Sequence, residues 1–173
     1  MGEERVDINV WIISFLIIFM LHNLEEIIMV EKWIKKTYPR VRDKIPSSMQ
    51  KELNHYNDIT SVQFAVIVFV FSIFASILIL IAVVTQHYYL FLGVNLFFAL
   101  NIFTHPLQAL YLRCYTPGLL TSLLLIIPYY SLFFYRFYNT DMLSLNSILG
   151  AIAVMIIFIP LFLLSHKIGK KWN

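Results

Sequence analysis

His22-Asn23-Leu24-Glu25-Glu26 places one imidazole and two carboxylates inside an apolar run that begins near Ile8. The spacing is i, i+3, i+4, so on a helix both acids lie one turn from the ring on roughly one face. A charged side chain at the centre of a membrane span costs on the order of 3 kcal/mol or more, so such groups need a partner or a bound cation. Asn101 and His105 form a second i, i+4 pair in a later apolar tract. Two polar helix faces of this kind can build a metal site from Glu and His side chains inside a helical bundle.

The expected ligand set is His22, Glu25, Glu26 and His105, with Asn101, Arg113 and Gln63 as further groups that bind the cofactor or substrate. Mixed nitrogen and oxygen ligation favours a divalent metal such as zinc, iron or manganese over copper(I), since no thiolate cluster is present. Without metal the same residues support acid-base catalysis, one of Glu25 and Glu26 donating a proton while His22 or His105 accepts one. Arg113, with its planar fork of donors, suits a carboxylate pair or an anionic headgroup.

The elements that must position these groups follow from composition. The chain has 173 residues, 60% hydrophobic and only 13% charged, where soluble domains carry about a quarter charged residues. Mean hydropathy is +0.76. The expected fold is therefore all-α, a polytopic membrane bundle in one domain over 1–173. Apolar tracts at about 9–30, 61–84, 88–112, 118–138 and 144–165 each approach the length needed to cross a bilayer, which gives five transmembrane helices. Glu3, Glu4, Arg5 and Asp7 precede the first tract without a basic n-region, so that tract is expected to be a retained span and not a signal peptide. Asn57, Asp58 and Thr60 offer caps for the second helix, Pro117-Gly118 separates the third from the fourth, and Pro106 and Pro128 are expected to kink them.

Charge placement sets the expected orientation. With the N-terminus outside, the inner segments hold Lys32, Lys35, Lys36, Arg40, Arg42, Lys44, Lys51, Arg113, Lys167, Lys170 and Lys171, while the outer ones hold only Arg5 and Arg136. Eleven against two is a strong positive-inside bias and puts the C-terminus in the cytoplasm. It also accounts for the net charge of +3, so no nucleic-acid partner is expected. His22 then lies about 20 Å in from Ile8. The third helix runs the same way and carries Asn101 and His105 to a similar depth. The connection 31–60 is expected to cover the inner mouth of the bundle, with 51–56 either a cytoplasmic helical turn or a segment lying in the headgroup region.

Simpler roles compete with the functional ones. Buried polar side chains often serve only to join membrane helices, which is the alternative for every member of the cluster. His55, His87 and His166 are expected at the interfaces, and Tyr129, Tyr130, Tyr135 and Tyr138 in an outer aromatic belt. Cys114, the single cysteine, is most simply a small apolar residue. Ser72 and Ser76 form a small-xxx-small pair that could serve a helix contact.

The sequence resembles the HXXEE domain family of bacterial integral membrane proteins. His22-Asn23-Leu24-Glu25-Glu26 matches the naming motif, and Asn101 to His105 and Arg113 to Gly118 look like its later asparagine-histidine and arginine with proline-glycine signatures. The resemblance covers about 10–165. It implies a multi-pass location in the bacterial cytoplasmic membrane and supplies no reaction. The leading expectation is a small metal-dependent intramembrane enzyme, hydrolytic in its simplest form, acting on a lipid or other hydrophobic or amphipathic small molecule. The alternatives are a ligand-binding or proton-coupled transport protein, with a homodimer supplying the path, and an accessory protein acting through contacts in the membrane.

Overall fold

The computed structural model describes residues 8–45, 47, 50, 59–138, 140 and 143–172. Five helices are long and apolar enough to cross a membrane: α1 (Ile8–Lys36), α2 (Ser61–Thr85), α3 (Tyr89–Leu112), α4 (Leu119–Phe137) and α5 (Leu145–Lys170). The all-α polytopic bundle expected from composition is therefore present. The segment 51–56, His55, and the caps Asn57 and Asp58 lie outside the described residues.

Helix α1 owes its packing to one stripe. Ile12, Phe15, Phe19, His22 and Glu26 recur at alternating steps of three and four, which keeps them on one face. His22 and Glu26 thus continue the inward apolar seam, while Glu25 sits beside it. A matching stripe on α3 runs through Phe91, Asn95, Phe98, Ile102 and His105. Phe15 meets Phe91 and Phe98 edge-on at 5.6 and 5.5 Å between ring centroids. His22 meets His105 at 4.9 Å. Contacts that rise together in residue number mean that the two helices run parallel, and the seam carries both histidines to one depth.

Helix α4 runs antiparallel to both. Trp11 packs edge-to-face on Phe133 and Phe137 at the far end of the seam, a geometry that adds about 0.5–1.5 kcal/mol per pair beyond simple burial. Tyr130 donates to the Asn95 carbonyl at 2.6 Å. Tyr129 and Tyr130 are 5% and 2% exposed, so they belong to the core and not to an aromatic belt. The reason is register: both face α1 and α3, whereas Tyr135 and Tyr138 are exposed.

The prolines act through the carbonyls they leave free. Pro106 cannot bond to Ile102, and α3 breaks between Ala99 and Asn101, one turn or so earlier. In α4 the segment Ser122–Ile126 is π-helical just ahead of Pro128, a widening that absorbs the proline without ending the helix. Helix α5 lies against α2 and α3 because small residues allow it. A Cβ at Gly93 would come within 2.5 Å of Val154 Cβ, so the two backbones meet closely there.

At the end of the bundle where α1 finishes, a short helix Tyr38–Val41 and a 3-10 turn Arg42–Lys44 fold back. Tyr38, Val41 and Ile45 pack with Leu112 at the end of α3, and Tyr111 donates to the Lys44 carbonyl at 2.8 Å. Thr60 caps α2 in a reciprocal box with Gln63. Glu31 of α1 adds a second acceptor there, taking the Ser61 N–H at 2.9 Å.

Candidate metal centre

His22, Glu26 and His105 converge between α1 and α3, each offering a ligand atom within 4.8 Å of the others. His105 Nε2 lies 3.4 Å from Glu26 Oε1, and His22 Nε2 lies 3.9 Å from Glu26 Oε2. Donors bound at about 2.0–2.2 Å around one cation stand roughly 3–4 Å apart. The two Glu26 distances fall in that range, and the widest separation in the set, within 4.8 Å, would have to close slightly around an ion. Burial is nearly complete: His22 is 1% and His105 8% exposed, and the Glu26 side chain 18%.

Two features of this cluster bear on what it can hold. His22 Nε2 is buried with no hydrogen-bond partner among the described residues, an arrangement that costs on the order of 1–3 kcal/mol unless something occupies the space. The donors are two imidazoles and a carboxylate, the mixed nitrogen and oxygen set that suits zinc, iron or manganese. The residues therefore fit a divalent cation on both geometry and chemistry. Three protein donors also leave coordination positions open, as catalytic metal sites do.

Glu25 is placed differently from its neighbour. Oε1 accepts from Tyr115 Oη at 2.5 Å and from the Leu120 N–H at 3.1 Å. Oε2 accepts from the Thr121 N–H at 2.7 Å and from Thr121 Oγ1 at 2.5 Å. The carboxylate thus caps the N-terminus of α4 from another helix, where unpaired N–H groups and the helix dipole both favour an anion. Burial, followed by the bond to Glu25, holds the Tyr115 phenol well above its usual range, so it stays a donor. Trp33 fixes the same segment by donating to the Tyr115 carbonyl at 2.7 Å.

The structure does not bring the other expected groups to this centre. Gln63 is taken up by the α2 cap and by a 3.2 Å bond to the Trp172 carbonyl. Arg113 is the exposed C-cap residue of α3, with φ +53°. Asn101 accepts from Thr104 at 3.3 Å, one turn before His105. His87 is exposed in the turn between α2 and α3, and His166 bonds to the Phe162 carbonyl at 3.0 Å.

Sequence reasoning did not identify Thr121, Tyr115 or the true part played by Gly118. Gly118 has φ +82°, and a Cβ there would stand 2.6 Å from His105 Cε1. The break at Pro117-Gly118 was legible, but not that the glycine lets the chain turn against an imidazole ring. Gly118→Ala combines backbone strain of about 1–2 kcal/mol with displacement of the ring. Zinc titration of the purified variant is expected to show at least about tenfold weaker binding, on the scale seen when the support of a ligand is lost. Wild-type affinity in that variant would show that the ring is not held by this contact.

A family model described as "protein of unknown function with HXXEE motif" matches residues 13–133, a stretch that contains all of these site residues. The chain is also similar to the uncharacterized protein YrkK of Bacillus subtilis (strain 168), with 29% identity over 155 residues, 87% of this chain and 90% of that one. No solved structure matches it.

Proposed function

The chain belongs to the HXXEE family, and we propose that it is a metal-dependent enzyme of the membrane interior, hydrolytic in type, acting on a lipid or other hydrophobic small molecule. The observation that carries this reading is His22 Nε2, buried and unpartnered beside Glu26 and His105. A divalent cation held by those three residues would act as a Lewis acid on a substrate oxygen. Glu26 faces both imidazoles and would supply the negative charge that balances the cation, while Glu25 is committed to α4.

Location supports the substrate class. The centre lies in the middle third of α1 beside the turn between α3 and α4, where Gly118 meets the His105 ring, and the Glu26 side chain is 18% exposed. A lipid would reach it from the bilayer, and the water that hydrolysis consumes from that turn. An apolar groove of about 400 Å³ runs between α3 and α4, lined by Leu100, Ile102, Phe103, Ile127 and Phe134 among others. Ile102 is one turn from His105, so the groove offers an acyl chain a place close to the centre. The eleven-to-two charge bias supports a bacterial cytoplasmic membrane location with the C-terminus inside.

Proteoliposomes of mixed zwitterionic and anionic phospholipids, supplied with zinc, iron or manganese, test the reading by mass spectrometry of the lipids. Loss of an acyl chain or headgroup is expected, abolished by chelator and reduced at least about a hundredfold by Glu26→Gln, the scale of losing one strong electrostatic contact in catalysis. Proton-driven flux without lipid turnover, lost in the same variant, would replace the enzyme with a transporter.

A further inference from the structure

We infer that Thr121 is a positioning residue that fixes the ring tautomer of His22, so that Nε2 presents a lone pair, and not a proton, to Glu26 and His105. The argument is one of counting protons. Thr121 Oγ1 has three polar neighbours: Glu25 Oε2 at 2.5 Å, His22 Nδ1 at 2.8 Å and the Gly118 carbonyl at 3.3 Å. A hydroxyl has one proton to give. Both oxygens can only accept: the Gly118 carbonyl carries no proton, and Glu25 takes three other donors, the Tyr115 hydroxyl and the Leu120 and Thr121 N–H groups, as an ionised carboxylate does. The short contact assigns the threonine proton to Glu25.

Of the two contacts that remain, the Gly118 carbonyl at 3.3 Å has no proton to offer, so Oγ1 can accept only from His22 Nδ1, which is the donor. A neutral imidazole with its proton on Nδ1 has a bare Nε2. That is the atom that is buried without a partner and lies 3.9 Å from Glu26 Oε2. The opposite tautomer would lose the Thr121 bond and point an N–H at a carboxylate too distant to accept it. A relay of carboxylate, hydroxyl and imidazole thus carries the cap of α4 to the centre: the acid that closes the helix also decides which nitrogen of His22 is available.

The consequence for metal binding rests on the function proposed above, while the tautomer itself does not. Metal-free protein, labelled with nitrogen-15 at histidine and reconstituted in bilayers, should show His22 by solid-state NMR with a protonated Nδ1 and a bare Nε2. The His22 signal is identified by its loss in His22→Gln. Thr121→Ser keeps the hydroxyl and should retain this pattern. Thr121→Val removes the acceptor and should shift His22 toward the Nε2-protonated form, with zinc affinity lowered about 10–100-fold, as for other groups that orient a ligating histidine. A wild-type His22 protonated on Nε2, or a folded Thr121→Val protein with the wild-type pattern, overturns the inference. The expected tautomer in a wild-type protein that binds no zinc would sustain it while removing the metal reading.

Discussion

His22→Ala is expected to strip the protein of metal. Purified wild type should carry close to one divalent ion per chain by elemental mass spectrometry, and the His22→Ala, His105→Ala and Glu26→Ala variants less than about a tenth of that. The expectation follows from donor number: the described residues gather three strong donors within 4.8 Å, and two of them hold a cation far less well than three. Glu25→Ala should differ in kind, because its carboxylate holds α4 and reaches the centre only through Thr121 and His22, so its loss weakens binding without removing a donor. Metal that survives removal of His105 yet disappears with Glu25 would move the centre to the other acid. Wild-type protein that stays metal-free after reconstitution with zinc, iron and manganese would remove the metal altogether.

The reason two adjacent acids part company lies in the helix seam. Phe15, Phe19, His22 and Glu26 follow one another at steps of four, three and four, so Glu26 points where the phenylalanines point. Glu25 falls about 100° away around the helix. That difference is present in the sequence, since the apolar stripe identifies the inward face before any neighbour is known. The meeting of His22 with His105 is legible too, because an even number of crossings between α1 and α3 makes them parallel and a common depth follows.

What the sequence withholds is contact between elements that are far apart along the chain. Nothing local to Glu25 indicates that the first turn of α4, ninety-odd residues later, will set its N–H groups against the carboxylate. Thr121 is similarly opaque. It stands in the first turn of a helix after Gly118, where a threonine ordinarily signals capping of its own helix, and its partners are instead on α1. Tyr129 and Tyr130 misled for another reason. Tyrosines near the end of a span resemble an interfacial belt by composition, while burial depends on which way α4 is rotated by its π-helical segment.

Glu25→Ala should cost more folding stability than loss of any single metal ligand in the metal-free protein. The substitution leaves the Leu120 and Thr121 N–H groups, the Thr121 hydroxyl and the Tyr115 phenol without their acceptor. Replacing an N-cap alone costs about 0.5–2 kcal/mol, and hydrogen bonds to a charged group contribute about 1.5–3 kcal/mol each. Water at the exposed edge recovers part of that, so a net loss of about 2–4 kcal/mol is expected, measured by unfolding in mixed micelles with increasing dodecyl sulfate. Glu25→Gln separates shape from charge. Its carbonyl oxygen can still accept, but its amide turns two further donors toward N–H groups that need acceptors, so only part of the loss returns. His22→Ala, which removes a ring whose one hydrogen-bond partner among the described residues is Thr121, should be milder without metal and comparable with it, because bound ion adds its own linkage to the folded state. Equal stability of Glu25→Ala and wild type would mean that α4 is held by its packing against Trp11, Phe15 and His22 and that the carboxylate contributes nothing measurable to the fold.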